Sequence, residues 1–181
     1  MSSEAALAPA YGYTWAFVAL QYYALIWNRI TLVLVGPSIV SAAYMGGPVA
    51  AMPYPATAWD PGYWLADKHL RRYAGINVGG PEFLAKSIFN RQWPRSDVRD
   101  VRLDMTPKWG MGGVPYSGRI HVGWANQRTT EFILLGRQDG RAIRDRLMPV
   151  HQAVVASDPV PAPVFDPFGA WPKPASQQSV V

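Results

Sequence analysis

The sequence predicts an α+β, mainly β fold: a bent antiparallel sandwich or partly open barrel with a C-terminal helix, a two-helix insertion and extended termini. Three observations carry this. The β-branched residues Ile30, Thr31, Val33, Val35, Ile39 and Val40 crowd two apolar runs split by Gly36-Pro37-Ser38, the pattern of buried strands joined by a tight turn. From Ser96 onward apolar positions alternate with charged ones. Val101, Leu103 and Met105 are interleaved with Arg102 and Asp104, and Ile120, Val122 and Trp124 with Arg119 and His121, the two-residue period of strands with one packed face. Finally, Glu131–Leu135 reads as a buried strand, and Gly136 to Gly140 leads into a helix whose inner face is Ile143 and Leu147, four residues apart on one side.

Taken in order, residues 1–12 read as a lead arm. Residues 14–27, TWAFVALQYYALIW, require burial on both sides and are read as one long strand or two short ones. A membrane-spanning helix over 13–28 is the competing reading. The run is slightly short for a span, and Arg29 ends it. Further on, Gly36-Pro37 and Gly46-Gly47-Pro48 would strand backbone polar groups in lipid. The first ten residues hold no Lys or Arg, so no signal peptide is expected. Residues 46–59 form a loop rich in Gly, Pro and Ala. An insertion over about 48–92 then carries two helices. One opens at Asp60-Pro61, bears Trp64, Leu65, His69 and Tyr73, and stops near Gly75. The other opens at Gly79-Gly80-Pro81, places Leu84 and Ile88 on one face, and is barred from continuing by Pro94. The β-domain spans 13–150. Residues 151–181 form an extended arm with Pro at 159, 161, 163, 167, 172 and 174, a composition that excludes helix and sheet and favours polyproline-like structure.

Composition narrows the function. Of the 181 residues 49% are hydrophobic and only 16% charged, against the usual ~25% charged, which excludes a disordered chain. The absence of Cys excludes disulfides, thiolate catalysis and Cys-ligated zinc. The net charge is +5. It concentrates between residues 67 and 147, behind a nearly uncharged aromatic front, a distribution suited to an anionic membrane surface or a membrane complex. No RNP-type aromatic box, finger or compact basic run points to nucleic acid.

No catalytic kit emerges. His69, His121 and His151 form no HxxxH or HxH pair, so no metal is expected. No G-x-S-x-G elbow is present. Asp97, Asp100 and Asp104 are interleaved with Arg95, Arg99 and Arg102, which reads as ion pairing on a solvated strand face. The loop WGMGGVPYSG (109–118) lacks the Lys-Ser/Thr and helix start of a phosphate cradle. Its Trp109, Met111 and Tyr116 are read as a docking knob, against the alternative that they fold back as a lid on the sandwich. Phe165, Phe168 and Trp171 sit along the stiff tail, well placed to fill pockets on a partner, and Trp15 in the apolar front completes the partner-binding set. Lys68, Arg71 and Arg72 form a small basic patch for lipid phosphate or an acidic partner.

Four stretches, NRITLVLVGPSIVSAA, RSDVRDVRLD, SGRIHVGW and TEFILLGRQDGRAIRDRL, resemble respectively the opening hairpin, a middle strand, and the closing strands and helix of bacterial pleckstrin-homology-like (PH-like) domains. The resemblance implies a bent antiparallel sandwich plugged by a C-terminal helix, acting as a binding scaffold rather than an enzyme. Phosphoinositide-binding members carry basic residues in the first hairpin loop. Gly36-Pro37-Ser38 offers no cation there, so headgroup binding in that style is not implied.

The function expected is therefore a non-enzymatic accessory subunit without a cofactor. It would lie peripheral to the membrane on the cytoplasmic side, docked through its aromatic, Pro-rich arms to the protein subunits of a larger bacterial respiratory or photosynthetic membrane complex. Two alternatives stand beside it: a free PH-like module that binds anionic lipid or an acidic protein surface, and an enzyme whose site is assembled only by tertiary contacts.

Overall fold

Strand-forming sequence and turn residues partition the chain into one sheet with an insertion laid across it. The computed structural model describes residues 13, 15–24 and 27–148. Its strands are β1 (Trp15–Ala24), β2 (Trp27–Val35), β3 (Ile39–Gly46), β4 (Arg91–Pro94), β5 (Val98–Asp104), β6 (Tyr116–Trp124) and β7 (Thr129–Leu135). The helices are α1 (Asp67–Tyr73), α2 (Pro81–Ala85) and α3 (Gly140–Leu147). The strands form one seven-stranded antiparallel sheet in the order β4-β3-β2-β1-β7-β6-β5. Two meanders, β1–β4 and β5–β7, thus join side by side where Ala19 pairs with Leu134 and Leu20 with Ile133.

The sheet curls into a half-barrel. Trp93 of β4 lies far from β6 in the strand order, yet its ring stacks on that of Trp124 at 4.8 Å and 10°. The concave side buries Phe17, Val33, Val35, Val40, Val101, Ile120, Val122, Phe132 and Leu134. α3 closes that side with Ile143 and Leu147, and Asp139 caps the helix by accepting from the N–H groups of Arg141 and Ala142. Arg95 fastens this closure: its guanidinium donates to the carbonyls of Gly36 at 3.2 Å and Arg146 at 2.5 Å.

The convex side of β1, β2, β3 and β7 presents Val18, Leu20, Leu32, Leu34, Ala43, Met45, Ile133 and Leu135. The insertion covers it with Val49, Ala58, Trp64, Leu70, Tyr73 and Phe83. This explains the two textures of the sequence. β1, β2 and β3 are mostly apolar because both faces are covered. β5 and β6 alternate because their outer faces are left to polar side chains. The pairing of Val35 with Val40 across the 36–38 turn fixes the register, and a one-residue slip would exchange the two cores.

The structure corrects several expectations. Residues 15–24 form the strand the sequence favours, paired with β2 apart from a bulge between Tyr22 and Ala24, and the competing membrane-helix reading does not hold for them. Among the described residues no helix is long and apolar enough to cross a membrane. With β1 in place, the stretch likened to an opening hairpin is the second hairpin of the sheet. The helix expected from Asp60 to Gly75 is split. Asp60 caps by accepting from Gly62 N–H at 2.8 Å, but only a 3-10 turn, Pro61–Trp64, follows before α1. The break lets the Trp64 indole donate to the Ala58 carbonyl at 3.0 Å while Leu70 and Tyr73 reach the same convex core. The second helix stops at Ala85 and buries Phe83; Leu84 and Ile88 stay exposed. Pro94 ends the edge strand β4, where a missing N–H is tolerated.

Candidate interaction surface

The loop between β5 and β6 is built to hold one side chain outward. Asp104 ends β5 and accepts from Thr106 through its N–H at 2.8 Å and its hydroxyl at 2.7 Å, a local turn that tightens the exit from the strand. The Lys108 N–H donates to the Tyr116 hydroxyl at 2.6 Å, tying the loop to β6. Met111 turns inward and is 2% exposed, with its sulfur 3.5 Å from the Tyr22 hydroxyl. Gly112 takes φ +54° and lies so close to Ala51 that a Cβ would meet that residue's carbonyl oxygen at 2.8 Å. Only glycine satisfies both the left-handed backbone and the close approach. The loop is thereby clamped on the insertion, and Trp109 stands 88% exposed at its tip.

The three residues read together as a docking knob thus divide. Trp109 points outward, Tyr116 is half-buried and fastens the loop, and Met111 belongs to the convex core. For Met111 the placement matches the lid alternative, since its side chain is buried in the convex cluster.

A polar network flanks the loop on the outer face of β5–β7. Arg119 pairs with both Asp104 and Glu131, the latter at 3.0 Å. Lys108 pairs with Glu131. The His121 Nε2 lies 3.9 Å from Asp104 and 3.8 Å from Glu131. Asp104 therefore pairs across strands rather than with the Arg residues beside it in sequence, whereas Asp100 does take Arg102, at 2.9 Å. The two hydrogen bonds from Thr106 hold the Asp104 carboxyl below its ordinary pKa, and the positive charges of Arg119 and His121 add to this. A carboxyl lowered in the folded state contributes stability at pH values above its unfolded pKa and loses it as pH falls through the folded one. Asp104→Asn is therefore expected to flatten the fall in melting temperature between about pH 5 and pH 2, as read by melts across a buffer series. A parallel curve for the native chain and the variant would contradict this.

On the insertion, α1 turns Leu70 and Tyr73 inward and leaves Lys68, Arg71 and Arg72 exposed. Arg71 is 3.9 Å from Asp67, an exposed pair of little energetic weight. Lys68 and Arg72 form no ion pair with the described residues. His69 packs edge-on against Tyr44 at 5.8 Å. Burial holds its pKa below the ordinary value, helped by the charges of Arg72 and Lys68.

Trp15 is half-buried against Phe17 at 5.5 Å, with the Arg146 guanidinium over its ring at 5.0 Å. It forms the rim of the concave core. Phe165, Phe168, Trp171 and His151 lie outside the described residues, as do the arms 1–12 and 151–181.

Sequence reasoning missed a second group of exposed apolar residues, Trp27, Met52, Trp59, Tyr63 and Ile88. Only the fold separates these from their buried neighbours Ala58 and Trp64. Among the described residues no three His, Cys, Asp or Glu side chains are grouped to hold a metal. No family model, curated protein or solved structure matches the chain.

Proposed function

We propose that this protein is a binding scaffold rather than an enzyme: an accessory subunit that docks onto a larger bacterial membrane protein complex, respiratory or photosynthetic, at its membrane face. The observation that carries the reading is Trp109, an 88% exposed indole on a loop clamped at both ends. A rigid, exposed Trp is costly to leave in water and is among the side chains that dominate interface energies. The bent antiparallel sheet with its C-terminal helix supports the narrower PH-like assignment, in which the sheet serves as a platform for partners. The Pro-rich tail with Phe165, Phe168 and Trp171 supplies a second attachment.

The test is co-purification in mild detergent with the full chain, a chain ending at Ala156, and Trp109→Ala. Trp109→Ala is expected to weaken capture about 30-fold or more with an unchanged melting temperature, and the shortened chain to lose material. Identical capture by all three would end the scaffold reading. The exposed Lys68, Arg71 and Arg72 support a competing reading, docking on anionic lipid. Sedimentation with phosphatidylglycerol vesicles separates the two, since lipid docking through these cations weakens as salt rises.

A further inference from the structure

Arg29 is a buried cation with no counter-ion among the described residues. It lies near the start of β2, opposite Gln21 of β1, and is 8% exposed. Two rings clamp its guanidinium, Phe89 at 4.3 Å and Trp27 at 5.1 Å from the ring centroids. Nη1 donates to the Asn28 carbonyl at 3.0 Å. Nε is buried and donates to nothing, and no carboxylate among the described residues pairs with the group. A guanidinium carries five N–H donors. Burying it unpaired is expensive, and ring contacts offset only part of that cost.

The surroundings hold this arrangement in place. The side chain of Asn28 is spent on both the N–H and the carbonyl of Val49, folding residues 46–49 back over the start of β2. Gly47, at φ +142°, sits where a Cβ would meet the Asn28 carbonyl at 2.6 Å and the Arg29 Cα at 3.2 Å. A clasp therefore fixes the backbone, two rings lie against the guanidinium, and its Nε–H has no acceptor among the described residues.

From this we infer that Arg29 anchors an oxyanion site whose ligand is a single carboxylate on an apolar body. One planar guanidinium matches one carboxylate through parallel N–H···O bonds. A phosphate dianion calls for more positive charge than a single guanidinium supplies. The apolar rim is Trp27, 53% exposed, whose ring lies against the guanidinium. Trp27 is the half-exposed jaw of the clamp and so the side by which a ligand enters. The inference goes beyond the scaffold reading and does not use Trp109.

The experiment titrates the ¹⁵N-labelled full chain with sodium acetate, butyrate and hexanoate, against sodium chloride at equal ionic strength, following the Arg29 Nε–Hε resonance. Thermal melts of the native chain, Arg29→Met and Arg29→Lys run in parallel. The carboxylates are expected to move the resonance saturably, tightening by about fourfold for each methylene buried, while chloride does not. Arg29→Met is expected to raise the melting temperature of the free protein and to abolish its rise with carboxylate; Arg29→Lys is expected to weaken that rise. Carboxylates acting no differently from chloride would overturn the inference, as would inorganic phosphate saturating more tightly than hexanoate. So would a native-like carboxylate response in Arg29→Met. Should Arg29→Met fail to fold, the titration of the native chain decides alone.

Discussion

Asn90→Ala is expected to unfasten the insertion and to lower the melting temperature by roughly 10–15 °C. Asn90 is 2% exposed and lies between α2 and β4. Its Oδ1 accepts from the Tyr44 N–H at 3.0 Å and from the Tyr73 hydroxyl at 2.8 Å; its Nδ2 donates to the Phe83 carbonyl at 2.6 Å. One side chain thus completes the exposed end of β3, anchors α1 and terminates α2. β4 pairs with β3 only as far as Ala42, so the Tyr44 N–H has no strand partner on that side, and Asn90 stands in for one. Alanine would leave three polar groups in a largely buried setting without partners. At about 1–3 kcal/mol each, partly relieved by local relaxation, the loss comes to roughly 3–5 kcal/mol. Asn90→Asp is the sharper control. It retains the acceptor but sets a carboxylate oxygen against the Phe83 carbonyl, so it also destabilises. Thermal melts measure both, and hydrogen exchange at Tyr44 and along α1 should quicken. A melting temperature within about 2 °C of the native value would show that the insertion is held by its apolar contacts alone.

Asn90 also marks the limit of what the sequence discloses. Strands were legible wherever local composition and burial agreed. Ile30 to Val40 had to be strand on both sides of a Gly-Pro turn, and Ile120, Val122 and Trp124 had to share a face. The insertion was less legible because its elements are short. α1 stops before Gly75 as its local signal indicates, but its late start follows from the Trp64 indole bonding Ala58 in the 3-10 turns before it, and the Phe83 carbonyl of α2 is held by the distant Asn90 amide. A five-residue helix that buries Phe83 has no period to read: the four-residue spacing of Leu84 and Ile88 set them on one face, while the residue it buries is Phe83. The candidate surface was half legible for the same reason. WGMGGVPYSG announced a special loop, but the exposure of Trp109 and the burial of Met111 depend on Gly112 and Gly113 lying against residues 51–53, far away in sequence. Arg29 gave no local sign at all, since what sets it apart is the lack of a carboxylate partner among the described residues.

The second large effect lies in the concave core. Phe132→Ala is expected to cost about 3–5 kcal/mol, a large share of the roughly 5–15 kcal/mol that holds a domain together. Phe132 is 0% exposed. Its ring meets Phe17 of β1 edge-on at 5.7 Å and 85°, and Trp93 of β4 at 6.2 Å and 90°. Trp93 in turn stacks on Trp124, the contact by which the two ends of the curled sheet approach each other. Removing the Phe132 ring therefore leaves a cavity and also takes away the support beneath the Trp93–Trp124 pair, so the curl should loosen where β4 faces β6. Phe132→Leu refills part of the volume and should recover more than half of the loss. Near-ultraviolet circular dichroism reports the Trp pair directly, and its signal should fall in the alanine variant below the melting transition. Trp109 provides the internal contrast. Its loop is fastened to Tyr116 and to residues 51–53 on the opposite face, so partner capture well below the transition should be unchanged in Phe132→Ala. If capture and Trp–Trp ellipticity fell together in that variant, the two faces would be coupled, and the view of a rigid half-barrel carrying an independent docking loop would fail.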